Sequence, residues 1–221
     1  MPEAWTIKAS DNFNRADETL NTGNWSTGPS ESPMRIVSQV AIWSVSLNTD
    51  CCSIYTGRSW APEQSAQAKT WTDMSGAGAG PGVDVRAQTG SRNKYRAVVA
   101  KTAAGKASVE LSRFNPTYTS LVTDSTRTYV AGAVLELRVR GTGTSTYLEV
   151  FYDGVPVIGY MDNGGSALAA SGSPAIQHSG DTAGTFSQDD DFAGGEREWI
   201  AELRAGEFPK AAVRPLLASA A

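Results

Sequence analysis

The feature of this sequence that most constrains its fold is an alternation of residue types in two neighbouring segments. Every second residue from position 135 to 139 is leucine or valine, as are positions 148 and 150. A period of two is typical of a β-strand with one buried face, because successive side chains point to opposite sides of a sheet. Asp153-Gly154 then has the composition of a two-residue turn before positions 155–160. The sequence therefore predicts a β-hairpin here.

Shorter runs of the same character occupy most of the chain upstream. They cover positions 34–45, 51–55, 66–74, 83–88, 94–101 and 106–114. Gly, Asn, Ser, Thr and Pro separate them, and no helical stripe of eleven residues precedes position 195. Many short strands at near-even spacing are typical of a sandwich of two antiparallel sheets. We therefore predict an all-β jelly-roll fold.

Four basic residues alternate with apolar neighbours inside these runs. They are Lys94, Arg96, Arg138 and Arg140. The alternation predicts that they lie on outward, solvated strand faces, or that they meet an acidic partner there.

Length and charge exclude several classes of protein. The chain has 221 residues, 40% of them hydrophobic, which is enough for a hydrophobic core. Its 19 basic and 23 acidic side chains give a net charge of -4, which argues against a nucleic-acid binder with a basic face. No apolar run approaches the roughly 20 residues of a membrane helix, and the first residues lack the pattern of a secretory signal. We expect a protein made without export.

The two ends of the chain differ from its middle in their pattern of residue types. We predict a leader at residues 1–10, a sandwich at 11–194 and an arm at 195–221. Large apolar groups in the arm gain about 1.5–3 kcal/mol each on burial, so we expect it to pack on its own domain or on a neighbouring subunit. These apolar residues are Trp199, Ile200, Leu203, Phe208, Val213, Leu216 and Leu217. The first three of them have the spacing of a short helix.

Cys51 and Cys52 are adjacent. A disulfide between neighbours is strained, and in a strand the two thiols point to opposite faces. One thiol would then face the core and the other solvent or a partner subunit. Two alternatives follow: both are reduced thiols packed as small apolar groups, or one forms an intersubunit disulfide.

The sequence offers little for catalysis. It lacks the Glu-x-Asp-x-x-Glu pattern of jelly-roll glucanases and a Gly-x-Ser-x-Gly elbow, and its one histidine, His178, stands outside any motif. We therefore predict that the chain is not an enzyme. Trp60, Trp71 and Tyr55 are candidates for stacking on sugar rings, with core packing as the alternative.

Three segments carry a family resemblance. Residues 11–17 read Asp-Asn-Phe-Asn-Arg-Ala-Asp and are followed by Leu20 and Asn24-Trp25; residues 148–157 contain Tyr-Asp-Gly-Val; residues 190–192 read Asp-Asp-Phe. These segments resemble the start, the late hairpin and the last strand of concanavalin A-like lectin/glucanase (LamG-like) jelly-roll modules of phage and bacterial surface proteins. The resemblance implies that the first and last strands, near Phe13 and Phe192, lie side by side.

The same resemblance bears on cofactors. Related modules sometimes hold calcium where the terminal strands meet, which would make Asp11, Asp190 and Asp191 candidate Ca²⁺ ligands. A bound Ca²⁺ would offset the repulsion between these carboxylates. The alternative is that they are solvated or bound by backbone amides. No other cofactor is expected.

The resemblance also implies a phage context for the function. Its first implication is a non-catalytic structural protein of a bacteriophage virion, such as a capsid decoration, cement or minor capsid protein. Such a protein would be present in many copies, assembled in the host cytoplasm, with the leader and the arm clasping neighbouring capsid or tail subunits. The alternative is a glycan-binding adhesion module of a tail fibre or of a bacterial surface protein.

Overall fold

A computed structural model describes residues 3–42, 50–70, 80–142, 145–164, 167–168, 172–179 and 188–199. These residues form sixteen strands. In chain order the strands are β1 (Glu3–Asp11), β2 (Glu18–Thr19), β3 (Trp25–Thr27), β4 (Arg35–Val37), β5 (Val40–Ile42), β6 (Cys51–Tyr55), β7 (Gln64–Thr70), β8 (Gly80–Ala87), β9 (Lys94–Lys101), β10 (Lys106–Phe114), β11 (Tyr118–Thr128), β12 (Val134–Arg140), β13 (Thr146–Tyr152), β14 (Val155–Asp162), β15 (Ser173–Ser179) and β16 (Gln188–Trp199).

The strands form two sheets that pack face to face. The larger sheet has nine strands, in the order β14-β13-β12-β7-β16-β5-β4-β2, with β1 also paired to β16. The smaller sheet has seven strands, in the order β11-β10-β9-β8-β15-β6-β3. Every pair of these strands is antiparallel. The predicted all-β jelly-roll sandwich is confirmed.

The core lies between the sheets and follows the alternation in the sequence. Leu137 pairs with Val150 across β12 and β13, and both side chains are fully buried. From the other sheet, Val83 and Val99 belong to the same core cluster. Burial of each such side chain contributes about 1.5–3 kcal/mol to folding. Outward-facing residues of the same strands remain partly exposed on the larger sheet.

The predicted hairpin is also confirmed. Strands β13 and β14 are antiparallel neighbours joined at Asp153 and Gly154. Both residues have positive φ angles, of 52° and 74°. This is the backbone that a two-residue turn needs to match the twist of its strands, and it explains the Asp-Gly pair.

The terminal strands lie side by side, as the resemblance implies. Strand β1 pairs with β16 from Asp11 opposite Phe192 to Glu3 opposite Trp199. This pairing corrects the predicted boundaries. From Glu3 onward the presumed leader is a strand of the larger sheet, and residues 195–199 belong to β16 rather than to an arm. Trp199 ends a strand, so a helix does not begin there, because long-range pairing overrides the local spacing.

Some predictions lie outside the described residues. They concern Trp71 and the arm residues Ile200, Leu203, Phe208, Val213, Leu216 and Leu217. None of the described segments forms an apolar helix of the length that a bilayer crossing takes.

Candidate functional site

A row of charged side chains lies on the outer face of the seven-stranded sheet. In β8 and β9, Val85 and Tyr95 face the core, so Asp84, Lys94 and Arg96 point outward. Outer strand faces are normally solvated, yet these three residues are only 0%, 2% and 4% exposed. Charged groups are rarely buried unless they are paired, and clusters of them mark candidate functional sites.

Lys94 is held between two carboxylates. Its Nζ lies 2.5 Å from Glu31 Oε1 and 3.1 Å from Asp84 Oδ2. Burial lowers the pKa of Lys94, but Asp84, Cys52 and Glu31 outweigh it and raise the pKa overall. Burial raises the pKa of the Asp84 carboxyl, against the opposing effect of Lys94. The ammonium and the two carboxylates therefore form one interdependent buried unit.

The neighbouring arginines share one carboxylate. Arg92 Nη2 lies 3.2 Å and Arg96 Nη1 3.4 Å from Asp50 Oδ2. Arg96 also donates from Nη1 to Gln177 Oε1 at 3.3 Å and from Nε to Ser112 Oγ at 3.4 Å. These contacts fix the position of both guanidinium groups, with Arg92 the more exposed.

An aromatic pair adjoins these cations. The ring of Phe114 is buried, and Arg92, Lys94 and Arg96 lie 5.1, 5.4 and 4.5 Å from its centroid. Tyr118 packs edge-on against Phe114, with the ring centroids 5.4 Å apart, and is 48% exposed. Burial and a hydrogen bond donated to the Glu110 carboxylate raise the pKa of its hydroxyl.

We call Asp50, Arg92, Glu110 and Tyr118 the rim site, because they form the accessible border of the buried charged row. Near it, Asp84 Oδ1, Gln177 Nε2 and Arg92 Nε are buried and have no hydrogen-bond partner among the described residues. The rim site thus combines an exposed aromatic ring with fixed polar groups.

Sequence reasoning placed Lys94 and Arg96 on the correct face but in solvent. The solvent assignment was wrong, because carboxylates from residues 31, 50 and 84 meet these cations. Arg138 and Arg140 lie on the outer face of the other sheet, partly exposed, as predicted. Tyr118 was not predicted as a site residue, because no local sequence pattern distinguishes it from the other tyrosines. Its exposure depends on β11 lying at the edge of the sheet.

The predicted sugar-stacking aromatics are packed elsewhere. Trp60 is 8% exposed, and its Nε1 donates to Tyr55 O at 3.2 Å. Tyr55 lies 5.3 Å from Trp25 and 5.8 Å from Phe192, measured between ring centroids. Trp25 and Phe192 belong to the core cluster, and Tyr55 packs against it. The stacking role predicted for Trp60 and Tyr55 is therefore corrected to core packing.

Asp11 is a structural residue of the first turn. Its Oδ1 accepts hydrogen bonds from Phe13 N at 2.8 Å and Arg15 Nη1 at 2.5 Å, and its Oδ2 accepts one from Trp25 Nε1 at 2.9 Å. Arg15 offsets the carboxylate charge, the role that the sequence analysis gave to Ca²⁺. Both oxygens accept hydrogen bonds, which agrees with the alternative of a carboxylate bound within the protein. Calcium binding by Asp11 stays a prediction.

The other two candidate ligands lie in β16. Asp191 is exposed and lines a cleft of about 510 Å³ together with Asp11, Asn12 and Gln67. The side chain of Asp190 is outside the described part of the structure. Within that part, no group of three or more His, Cys, Asp or Glu side chains could hold a metal ion.

Replacing Asp11 by alanine is expected to lower the free energy of unfolding by about 2–3 kcal/mol, because three donors lose their acceptor. Urea unfolding should give the same loss with calcium and with a chelator. Asp191→Ala is the comparison, since it alters the cleft but not these hydrogen bonds. A calcium-dependent stabilisation that both substitutions abolish would instead support the predicted metal site.

Both cysteines are fully buried. Cys51 faces the core, whereas Cys52 packs against Ile54 and Ala175 on the other side of β6 and donates from Sγ to Asp84 Oδ2 at 3.3 Å. The prediction that the two thiols point to opposite faces of the strand is confirmed. The prediction that one thiol is exposed is wrong, because the outer face of the sheet is covered at Cys52. The burial of both side chains favours the alternative of two thiols packed as small apolar groups over an intersubunit disulfide.

Comparison with known protein families finds no matching family, and comparison with curated proteins finds no match. Solved structures do match. The carbohydrate-binding module CBM66 from Bacillus subtilis has a TM-score of 0.51 at 14% identity, covering 81% of this chain and 98% of the module. An endo-β-1,3-glucanase from Pyrococcus furiosus has a TM-score of 0.58 at 9% identity, and the match covers 88% of this chain and 95% of the glucanase. A protein of unknown function with a galectin-like fold from Bacillus subtilis has a TM-score of 0.52 at 13% identity, and the match covers 88% of this chain and 99% of that protein.

These likenesses concern the fold. The chain has the concanavalin A-like jelly roll, which the resemblance in its sequence implied. That architecture is shared by binding modules and by enzymes, so the function has to be argued from the site itself.

Proposed function

We propose that this chain is a non-catalytic carbohydrate-binding module that holds a glycan at the rim site. The observation that carries the proposal is the exposed ring of Tyr118 beside arginine and carboxylate groups fixed by the sheet. An aromatic ring offers an apolar surface to the C–H face of a sugar. Arg92, Asp50 and Glu110 offer donors and acceptors to its hydroxyl groups.

The network behind the rim site favours binding because it is already ordered. Arg96 holds Asp50 from the buried side, and the Phe114 ring supports both Arg92 and Tyr118. Groups held in place before binding lose little conformational entropy when a ligand arrives. The structural likeness to a carbohydrate-binding module supports the same proposal.

The charged row is poorly suited to glycan cleavage. Glycoside hydrolysis requires two carboxyl groups that flank the scissile bond. Glu31 and Asp84 both contact the same ammonium and are buried. Burial lowers the pKa of His178 to about 4, so this residue is neutral and buried at pH 7. We therefore propose binding without turnover, although some structural neighbours are glucanases and alginate lyases.

Tyr118→Ala is expected to weaken glycan binding about tenfold, the loss that corresponds to about 1.4 kcal/mol of stacking. A glycan array identifies the ligand, with β-1,3-glucan and alginate oligosaccharides included, and calorimetric titration gives the affinities. Tyr147→Ala is the matched control, since this tyrosine lies on the outer face of the other sheet. A wild-type chain that binds no glycan, or equal losses in both variants, would refute the proposal. Release of reducing ends would contradict the non-catalytic assignment.

The virion role stays a prediction from the family resemblance. A binding module of this kind is compatible with adhesion by a tail fibre or a bacterial surface protein. Capsid decoration, attachment to other virion proteins and assembly in the host cytoplasm would be tested by measuring the copy number of the chain in purified particles.

A further inference from the structure

The outer face of the nine-stranded sheet carries an arginine held between two aromatic rings. The guanidinium carbon of Arg138 lies 4.2 Å from the centroid of Phe151 and 5.4 Å from that of Trp5. Arg138 also forms a bidentate ion pair with Glu136, with distances of 2.7 and 2.9 Å. We call this surface the arginine–aromatic face. It lies on the opposite side of the sandwich from the rim site.

Small residues allow Trp5 and Arg138 to meet across the sheet. Strands β16 and β7 separate β1 from β12, and their paired residues at this level are Gly195 and Ser65. A Cβ atom on Gly195 would come within 2.6 Å of Ser65 Oγ. A larger side chain at this position would disturb the floor between the tryptophan and the arginine.

The charges of this face are paired with each other, and its margins are apolar. Arg140 contacts Glu149, in addition to the pair between Arg138 and Glu136. Ile7 on β1 and Met161 on β14 are each 51% exposed at the two sides of the sheet. Tryptophan, arginine, aromatic residues and methionine are enriched at the buried centres of protein interfaces. The exposed apolar side chains at the margins, together with this composition, therefore fit a polypeptide segment that carries large apolar residues.

We propose that the arginine–aromatic face is the docking surface for residues 200–221 of the same chain. Strand β16 ends at Trp199, opposite Glu3, and Arg197 is paired with Trp5. The chain therefore continues from the margin of this face. The segment is rich in large apolar residues separated by charges of both signs. These residues are Ile200, Leu203, Phe208, Val213, Leu216 and Leu217.

The length of the segment is sufficient. Five inter-strand steps separate β1 from β14. At about 4.8 Å per step this is roughly 24 Å. About seven or eight extended residues span that distance. Residues 200–221 can therefore cross the whole face and reach Met161.

Oxidation of Met161 by hydrogen peroxide in the full chain tests this proposal, because methionine oxidation follows exposure. The variant Leu203→Asp, Phe208→Asp, Leu216→Asp is expected to oxidise at Met161 about fivefold faster than the wild type, as charge on the segment opposes burial. Peptide mass spectrometry gives the rates. Met34, which is fully buried, is the internal reference that stays slow in both proteins.

A matched control adds the same three charges at small residues: Ala201→Asp, Ala212→Asp and Ser219→Asp. Met161 should oxidise there at the wild-type rate. Equal rates in the wild type and the first variant would overturn the proposal. Light scattering gives the molecular mass, and protection of Met161 confined to a dimer would assign the face to a second copy instead. Glycan binding at the opposite sheet is measured separately, so either proposal can fail without the other.

Discussion

Replacement of Lys94 by methionine is expected to lower the free energy of unfolding by about 3–5 kcal/mol at pH 7. The side chain is buried between Glu31 and Asp84, and its removal leaves two buried carboxylates without a cation. Desolvation of an uncompensated charge is the dominant cost, larger than the loss of contacts with Phe114. Urea unfolding followed by tryptophan fluorescence measures the change. Lys106→Met is the control, since Lys106 is exposed and should change stability by less than about 0.5 kcal/mol.

A triple variant separates charge from shape. Combining Lys94→Met with Glu31→Gln and Asp84→Asn removes every charge of the unit while keeping similar volumes. We expect it to regain most of the loss and to lie within about 1.5 kcal/mol of the wild type. If the triple variant were as unstable as the single one, the loss would come from packing, and the charge argument would be wrong.

The deficit of Lys94→Met should also depend on pH. Burial raises the pKa of Asp84 in the folded wild-type chain, and Lys94 opposes this effect. Without the ammonium, the folded pKa rises further. A carboxyl group with a raised folded pKa contributes stability at low pH that is lost as pH increases. In the wild type, the raised pKa of Lys94 keeps its ammonium group charged between pH 4 and pH 7. The difference in the free energy of unfolding between Lys94→Met and the wild type should therefore be smaller at pH 4 than at pH 7.

Arg86→Met is expected to be comparably destabilising, by about 3–5 kcal/mol. Arg86 is fully buried and donates hydrogen bonds to four different loops and strands. Its acceptors are Pro62 O at 3.0 Å, Thr146 Oγ1 at 3.1 Å, Leu168 O at 2.5 Å and Gly141 O. Methionine fills a similar volume but leaves these acceptors buried and unpaired. Chemical unfolding measures the loss.

Two further variants sharpen this test. Arg86→Lys keeps the charge, but an ammonium cannot reach acceptors arranged around a planar fork, so it should still cost about 2–3 kcal/mol. Arg127→Met changes an exposed arginine of β11 and should be nearly neutral. A value for Arg86→Met within about 1 kcal/mol of the wild type would mean that water replaces the guanidinium, contrary to the expectation.

Much of the fold could be predicted because its signals are local. Alternation at β12 and β13 marks which side chains face the core, and Asp153-Gly154 fixes the turn that follows. Burial of Phe13 and Phe192 also agrees with the prediction that the terminal strands are neighbours. Each of these features depends on residues close in sequence or on a motif.

The site was harder to predict because its groups come from distant segments. Glu31 meets Lys94 across 63 positions in the sequence, and Arg96 reaches Gln177 across 81. Trp60 and Tyr118 have similar aromatic side chains, yet one is packed into the core and the other is exposed at a sheet edge.

The sequence by itself determined the period of the strands, the turn chemistry and therefore the all-β sandwich. The physical reason is that the backbone of a strand fixes to which side each residue points. Only the tertiary structure decided what covers each outward face: Glu31 over the charged row, Arg15 beside Asp11, and open space beside Tyr118. Coverage depends on which loops and strands meet across the chain, and this determines whether a charge, a thiol or a ring is buried or free to bind.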